Sequence, residues 1–332
     1  MRSIKHILGI AELDRQQIGY LINLSQSFFE LSRRPIKKAP TLRGKTVINL
    51  FFENSTRTRT SFELAGKRLS ADVINISAST SATKKGETLL DTAYTLEAMR
   101  PDVLVMRHSL AGACNFLTQF LKGSAIVNAG DGEHEHPTQI LTDLLTLKQS
   151  LGNIEGKVIT MVGDIAHSRV AKSHLLAAKK MGYQIRLAAP KTLLPRYIES
   201  FGCEVFHDFD AAIPGSDVLY MLRVQNERLE SECCFPSIRE YHEAYGLNME
   251  RLQRAGENAL VLHPGPMNRG VEIATNVADG VKSRILDQVE NGVAVRMAVL
   301  TALCGGVQSS GKRGSRKLVA RQAMESQRDL WT

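Results

Sequence analysis

The sequence predicts an α/β protein built from two doubly wound domains, each a parallel sheet with helices on both faces, a class in which ligands gather at the strands' carboxyl ends. Three observations support this. Short β-branched runs alternate with helix-period stretches along most of the chain, and the alternation restarts after Gly152 and Gly156. Alternating βα units close most simply as parallel sheets with right-handed crossovers. With 332 residues, 43% of them hydrophobic and 23% charged, the chain is long enough to bury a core in each of two domains.

In the first array the strands are expected near 47–52, 72–76, 103–107 and 125–128, and the helices near 57–70, 87–99, 112–121 and 137–151. In the second, "KVITMVGD", "YQIRLAAP", "CEVFH", "DVLYMLR" and "NALVLHP" read as strands, with helices such as "SRVAKSHLLAAKKMG" between them. A last helical stretch, about 284–305, is expected to pack back on the first domain. This gives a first domain over 1–151, a second over 152–290, a returning helix over 291–306 and a basic tail over 307–332. No repeat of 20–50 residues is present.

Composition removes several classes. No run of eighteen apolar residues occurs, and "MRSIKHILGIAELDRQQIG" carries charges where a signal peptide has its apolar segment, so a cytoplasmic protein without a membrane role is expected. Cys114, Cys203, Cys233, Cys234 and Cys304 are few, odd in number and lack a CxxC pair, which suggests reduced thiols rather than a disulfide framework or zinc site. The formal charge of +8 could point to nucleic acid, but half of it lies in 307–332, where six Lys or Arg face two acids. "SSGKRGSRK" reads as a solvated extension, so no nucleic-acid partner is expected.

In doubly wound folds ligands gather beyond the carboxyl ends of strands. "FFENSTRTRTSFELAGKRL" occupies such a turn. Phe62, Ala65, Gly66 and Leu69 follow the spacing of a buried helical stripe, so a helix has begun by Thr56, with Ser55 as a plausible cap. Its first N–H groups lack helical partners and carry the positive end of the macrodipole. Capping explains one hydroxyl. It does not explain Arg57 and Arg59 in the first turn, where a cation opposes the dipole by about 0.3–1 kcal/mol. A bound polyanion such as phosphate, held by the N–H groups, Ser55, Thr56, Arg57 and Thr58, does explain them. No GxxxxGK[ST] or GxGxxG is present, and Ser55 lacks the GxSxG context of a nucleophile, so it is read as a donor. His134 and His136 could form an HxH metal site, but no further ligands are evident nearby. Pro137 suits the first position of the helix that follows, which places His136 and Gln139 at its mouth. Arg169 and Arg223 each follow a strand of the second array, where guanidiniums suit carboxylates.

These residues also carry a resemblance. "FFENSTRTRTSFELAGKRL" resembles the carbamoyl phosphate motif shared by aspartate and ornithine carbamoyltransferases. The match continues in order through "TSATKKGETLLDT", "VMRH", "NAGDGEHEHPTQILTDLLT", "MVGDIAHSRVAKS", "MLRVQNER" and "HPGPMNRGVEI". The "TKKGET" loop and "RVQ" are similar to the aspartate branch, and the "SMG" and "HCLP" segments of ornithine enzymes are absent.

The resemblance implies a carbamoyl phosphate domain followed by an aspartate domain, joined in transfer of a carbamoyl group to the amine of L-aspartate. It implies phosphate on Ser55, Thr56, Arg57 and Thr58, with Arg107 bridging to the carbonyl, and Thr58, Arg107 and His136 facing the oxyanion. Gln139 and the backbone carbonyls of Gly265 and Pro266 would receive the carbamoyl amino group. Arg169 would meet the α-carboxylate, and Arg223 with Gln225 the β-carboxylate. Ser81 and Lys85 would cross into a neighbouring subunit's site, making the active unit a homotrimer that could associate further with regulatory or dihydroorotase-like chains. No metal or cofactor is implied. One branch of the family has leucine where this chain has Gly265, a change that main-chain contacts should tolerate.

Overall fold

The structure, a computed structural model, describes residues 3–77, 87–224 and 237–305. Its framework is two parallel sheets. The first runs β2-β1-β3-β4, where β1 is Thr46–Phe51, β2 Asp72–Ser77, β3 Val103–His108 and β4 Ala125–Asp131. The second runs β7-β6-β5-β8-β9, where β5 is Val158–Val162, β6 Gln184–Ala188, β7 Glu204–Phe206, β8 Val218–Met221 and β9 Leu260–Leu262. The helices are α1 (Arg15–Ser32), α2 (Thr56–Arg68), α3 (Leu89–Ala98), α4 (Ala113–Phe120), α5 (Pro137–Leu151), α6 (Arg169–Met181), α7 (Phe209–Ala212), α8 (Ile238–Tyr245), α9 (Met249–Arg254), α10 (Thr275–Ala278) and α11 (Ile285–Cys304). The α/β alternation read from the sequence is therefore the fold.

Two local features differ from that reading. The sequence reading assigned no element to 15–32, yet α1 forms there. Asp14 accepts from Gln17 N at 2.7 Å, Gln17 Oε1 accepts from Asp14 N at 3.0 Å, and Ile18, Leu21, Ile22 and Phe28 turn inward. Helix α3 starts at Leu89 rather than Glu87, because the Thr88 hydroxyl accepts from Asp91 N at 3.1 Å and sets the boundary.

The strand orders fix where a ligand can sit. In the first sheet the order reverses between β1 and β3, and in the second between β5 and β8. At such switch points successive connections leave on opposite faces and open a crevice at the strands' carboxyl ends. Arg57 follows β1, Arg107 ends β3, Arg169 follows β5 and Arg223 follows β8. All four thus stand at the two crevices.

Packing holds the crevices in place. One face of the first sheet buries Ile48, Leu50, Leu104 and Met106 against Ala93 and Leu96 of α3 and Leu117 of α4. The other face contributes Val47, Phe51, Val103 and Val105 to a core that continues into the second sheet. Helix α11 packs on α1, α2 and α5 and buries Ala294 through Leu300. Within it the Arg296 guanidinium lies 5.2 Å from the centre of the Phe62 ring and donates to Gly292 O at 2.8 Å. From α6, Lys180 Nζ donates to the carbonyls of Ile10, Ala11 and Leu13 at 2.6, 2.7 and 2.6 Å, fastening the second sheet's first helix to the N-terminal segment. Among the described residues no helix is long and apolar enough to cross a membrane.

Phe62 is fully buried on the inward face of α2, beneath the Arg296 guanidinium. Phe62→Ala should lower the unfolding free energy by about 3–5 kcal/mol, read from the urea midpoint at constant slope.

Candidate active site

The apolar stripe of α2 is as the sequence reading has it, with Phe62, Ala65, Gly66 and Leu69 buried. Ser55 occupies the N-cap position, and Arg59 N donates to Ser55 O at 3.1 Å, but the Ser55 side chain makes no capping bond. The expectation that this hydroxyl caps the helix is thus corrected. The first N–H groups of α2 remain without a side-chain cap, and Ser55, Thr56 and Thr58 surround them as additional donors. Thr58 is buried, whereas Thr56 and Arg57 are open to the crevice.

Two further guanidiniums converge on this end. Arg107 Nη1 donates to Ala129 O at 3.2 Å, and its Nε lies 3.0 Å from Glu53 Oε2 in an ion pair too bent to be a hydrogen bond. Arg169 Nη2, from the second sheet, donates to the same Glu53 oxygen at 3.0 Å. Arg169 Nη1 is buried with no hydrogen-bond partner among the described residues. Gly130, with φ of +114°, lets both cations approach the backbone. A Cβ there would stand 3.1 Å from Arg107 Nη1 and 3.2 Å from Arg169 Nη1. Burial, reinforced by the charges of Arg169 and Arg57, pushes the Arg107 pKa down to about 10. Arg107 nevertheless stays charged at neutral pH.

His136 is the N-cap residue of α5 and is buried. Its N–H donates to Ser173 Oγ at 3.0 Å, and Ser173 Oγ donates in turn to Glu135 Oε2 at 3.0 Å, which fixes the backbone at this point. The ring's Nδ1 has no partner among the described residues. Burial, then the charges of Arg107, Arg169 and Arg296, hold the imidazole well below its ordinary pKa of 6.5. A neutral imidazole that offers one N–H toward a polarised oxygen is the resulting chemistry. One turn on, Gln139 Nε2 donates to Asp143 Oδ1 at 2.9 Å, so its amide oxygen is the acceptor left for a ligand. His134 pairs with Asp131 at 3.1 Å instead of joining His136. Among the described residues no group of three or more His, Cys, Asp or Glu is placed to hold a metal.

From the second sheet, Arg223 is exposed after β8, and its charge lowers the pKa of Arg57 further than burial does alone. Gly265 follows β9 with φ of +62°, and its Cα is pressed against Arg57. A Cβ there would stand 2.9 Å from the guanidinium carbon. Gly265 N donates to His263 Nδ1 at 2.7 Å, which places the imidazole proton on Nε2, 3.1 Å from Glu272 Oε1. The structure thus brings together Ser55, Thr56, Arg57, Thr58, Arg107, His136, Gln139, Arg169, Arg223, Gly265 and Pro266 at the carboxyl ends of both sheets. Ser81, Lys85 and Gln225 lie outside the described residues.

Two family profiles match the chain: the carbamoyl-P binding domain of aspartate/ornithine carbamoyltransferases over residues 5–149 and their Asp/Orn binding domain over 155–303. The chain belongs to the aspartate/ornithine carbamoyltransferase family. Within that family it is 57% identical over 302 residues to the aspartate carbamoyltransferase catalytic subunit of Syntrophotalea carbinolica, covering 91% of this chain and 96% of that one. The structure of Trypanosoma cruzi aspartate transcarbamoylase with carbamoyl phosphate and aspartate is similar at a TM-score of 0.79 and 32% identity, covering 90% and 96% of the two chains. Ornithine carbamoyltransferase from Gloeobacter violaceus is similar at 0.75 and 31%, covering 92% and 100%.

Sequence reasoning missed Glu53, Gly130, Ser173 and His263 in this family's cleft. Glu53 was visible only as an acid beside the hydroxyl-rich turn, and Gly130 only as a glycine at a strand end. Ser173 and His263 gave no separate signal.

The depressed His136 pKa has a pH consequence. The unfolded chain binds a proton near pH 6.5 and the folded chain resists it, so this contribution to stability is complete above 6.5 and is lost as pH falls below it. Between pH 7.5 and 5.5 the folded protein should therefore lose stability through this residue. Urea titrations of the wild type and His136→Gln should show the variant with the shallower acid slope.

Proposed function

We propose that this chain is an aspartate carbamoyltransferase, transferring the carbamoyl group of carbamoyl phosphate to L-aspartate and releasing N-carbamoyl-L-aspartate and phosphate. The observation that carries the reading is the meeting of uncapped helix N–H groups and guanidiniums from both sheets around unpartnered buried groups, Arg169 Nη1 and His136 Nδ1. A phosphate and a dicarboxylate together supply the negative charge such a cleft lacks. The 57% identity to an aspartate carbamoyltransferase catalytic subunit supports aspartate over ornithine.

In this reading the phosphate rests on the α2 N-terminus with Ser55, Thr56, Arg57 and Thr58, and Arg107 spans it and the carbonyl. Residues 1–151 form the carbamoyl phosphate domain and 152–290 the aspartate domain, with the rest of α11 returning to the first and 307–332 lying outside the described residues. Arg169 binds the α-carboxylate, and Arg223 with Gln225 the β-carboxylate. The unprotonated amine attacks the carbonyl carbon, and negative charge grows on the oxygen facing Thr58, Arg107 and His136. His136 meets that charge as a neutral imidazole, donating through the one ring nitrogen that carries a proton. Such a donor is typically worth 10²–10³ in kcat, about 2.7–4 kcal/mol. The C–O bond to phosphate then breaks, and the departing phosphate takes the amine proton. Holding both reactants in one cleft replaces a bimolecular encounter with an oriented one. The cytoplasmic homotrimer, with Ser81 and Lys85 from a neighbour completing each site, and a place in pyrimidine synthesis belong to the same reading.

The assay supplies carbamoyl phosphate with either aspartate or ornithine. Carbamoyl-aspartate should form and citrulline should not, and the reverse would overturn the reading. Arg107→Ala should lower kcat by about 10²-fold or more, and Arg169→Ala should act mainly through the KM for aspartate. Arg57→Ala and Lys85→Ala chains, each inactive, should regain part of the activity when mixed under subunit exchange. Demonstrated exchange with no recovery would count against the shared site.

A further inference from the structure

Asp143, on the inward face of α5, is fully buried and, although it stands within the stretch "NAGDGEHEHPTQILTDLLT", has no role in the sequence reading. Among the described residues its carboxylate accepts four hydrogen bonds from four different elements. Oδ1 accepts from Gln139 Nε2 at 2.9 Å and from Gln288 Nε2 of α11 at 2.7 Å. Oδ2 faces His174 Nε2 of α6 at 3.1 Å and accepts from Tyr220 Oη of β8 at 2.8 Å. A carboxylate that accepts on both oxygens leaves its neighbours no choice of role. Gln139 must turn its NH₂ inward and its oxygen toward the cleft.

The second branch reaches the other side of the cleft. Gln288 gives its NH₂ to Asp143, so its oxygen is free to accept, and it does so from His263 N at 3.0 Å. The His263 ring in turn accepts from Gly265 N at 2.7 Å, which turns that peptide's N–H away from the cleft. From one buried oxygen, two chains of hydrogen bonds therefore lead to Gln139 and to the Gly265–Pro266 turn. These are the two groups of acceptors available to an amino group lying between the sheets.

We infer that Asp143 is a positioning residue that sets acceptor polarity on both sides of the cleft, so that the site selects a ligand carrying –NH₂ on its carbonyl carbon. The inference rests on the carbamoyl phosphate reading and deepens it. Its physical content is directional. In Asp143→Asn one oxygen becomes an NH₂, and Gln139 satisfies that NH₂ by turning its amide over. A donor then faces the ligand's donor. Of the anion-binding groups at the α2 N-terminus, Arg57 lies against Gly265 at the far end of the second branch, but none hydrogen-bonds to Asp143, Gln139 or Gln288 among the described residues, so the hold on phosphate is kept.

The test compares three ligands that share the phosphate end: carbamoyl phosphate, acetyl phosphate, which has a methyl in place of the amino group, and inorganic phosphate. Binding to the full-length chain in its native assembly is measured by calorimetry. Wild type should prefer carbamoyl over acetyl phosphate. Asp143→Asn should weaken carbamoyl phosphate about tenfold while leaving acetyl phosphate and phosphate within about twofold, so the preference collapses. Gln288→Leu, which cuts only the branch to His263, should lose part of the preference, and it carries the test if Asp143→Asn does not fold. Equal weakening of all three ligands, or an unchanged preference in the folded variants, would overturn the inference and leave Asp143 as a packing residue. A wild type that binds carbamoyl and acetyl phosphate alike would overturn the carbamoyl phosphate reading itself.

Discussion

The structure depends on a concentration of positive charge that the fold creates and cannot itself neutralise. Two switch points face one another, and each delivers two guanidiniums: Arg57 and Arg107 from the first sheet, Arg169 and Arg223 from the second. Burial, and after it the repulsion of neighbouring guanidiniums, lowers the affinity of Arg57 and Arg107 for their protons. Glu53 is the internal answer, with a single oxygen 3.0 Å from both Arg107 and Arg169. Among the described residues Glu53 is the one acid paired with any of these four cations, and such an excess of positive charge favours anions over neutral ligands.

The same charge determines what His136 can be. In water an imidazole near neutrality is split between two forms, but three arginines and burial leave only the neutral one here. The ring is thereby removed from acid–base duty at physiological pH and becomes a fixed dipole. Its backbone is held by Ser173, so charge and geometry agree on its role.

Much of this was legible in the sequence because it is written in local patterns. Strand runs, the α2 stripe and the placement of arginines after strands all depend on residues close in the chain. The family motifs covered the rest of the cleft from Ser55 to Pro266. What stayed hidden depends on distant pairs. Asp143 and Gln288 are 145 residues apart, and nothing near either one announces the partner. Glu53 looks like any acid before a helix until Arg169, 116 residues away, is seen to reach it. Helix α1 was passed over because its signal, the reciprocal Asp14 and Gln17 pair, sits in a stretch that was weighed as a leader and not as a helix start. The Ser55 cap departs for the opposite reason: local preference favours an acceptor, yet among the described residues its side chain makes no capping bond.

Helix α6 carries Arg169 at its first residue and Ser173 one turn later, and the latter holds the backbone of His136 across the boundary between the sheets. At the helix's far end Lys180 is clamped by three carbonyls of the N-terminal segment. The helix is therefore a beam anchored at its rear and loaded at its tip. A tilt of this beam would displace the Arg169 guanidinium and the His136 ring by correlated amounts. The two groups are then mechanically geared to one another, so a lineage altering the placement of either by substitutions in this helix inherits a change in the other.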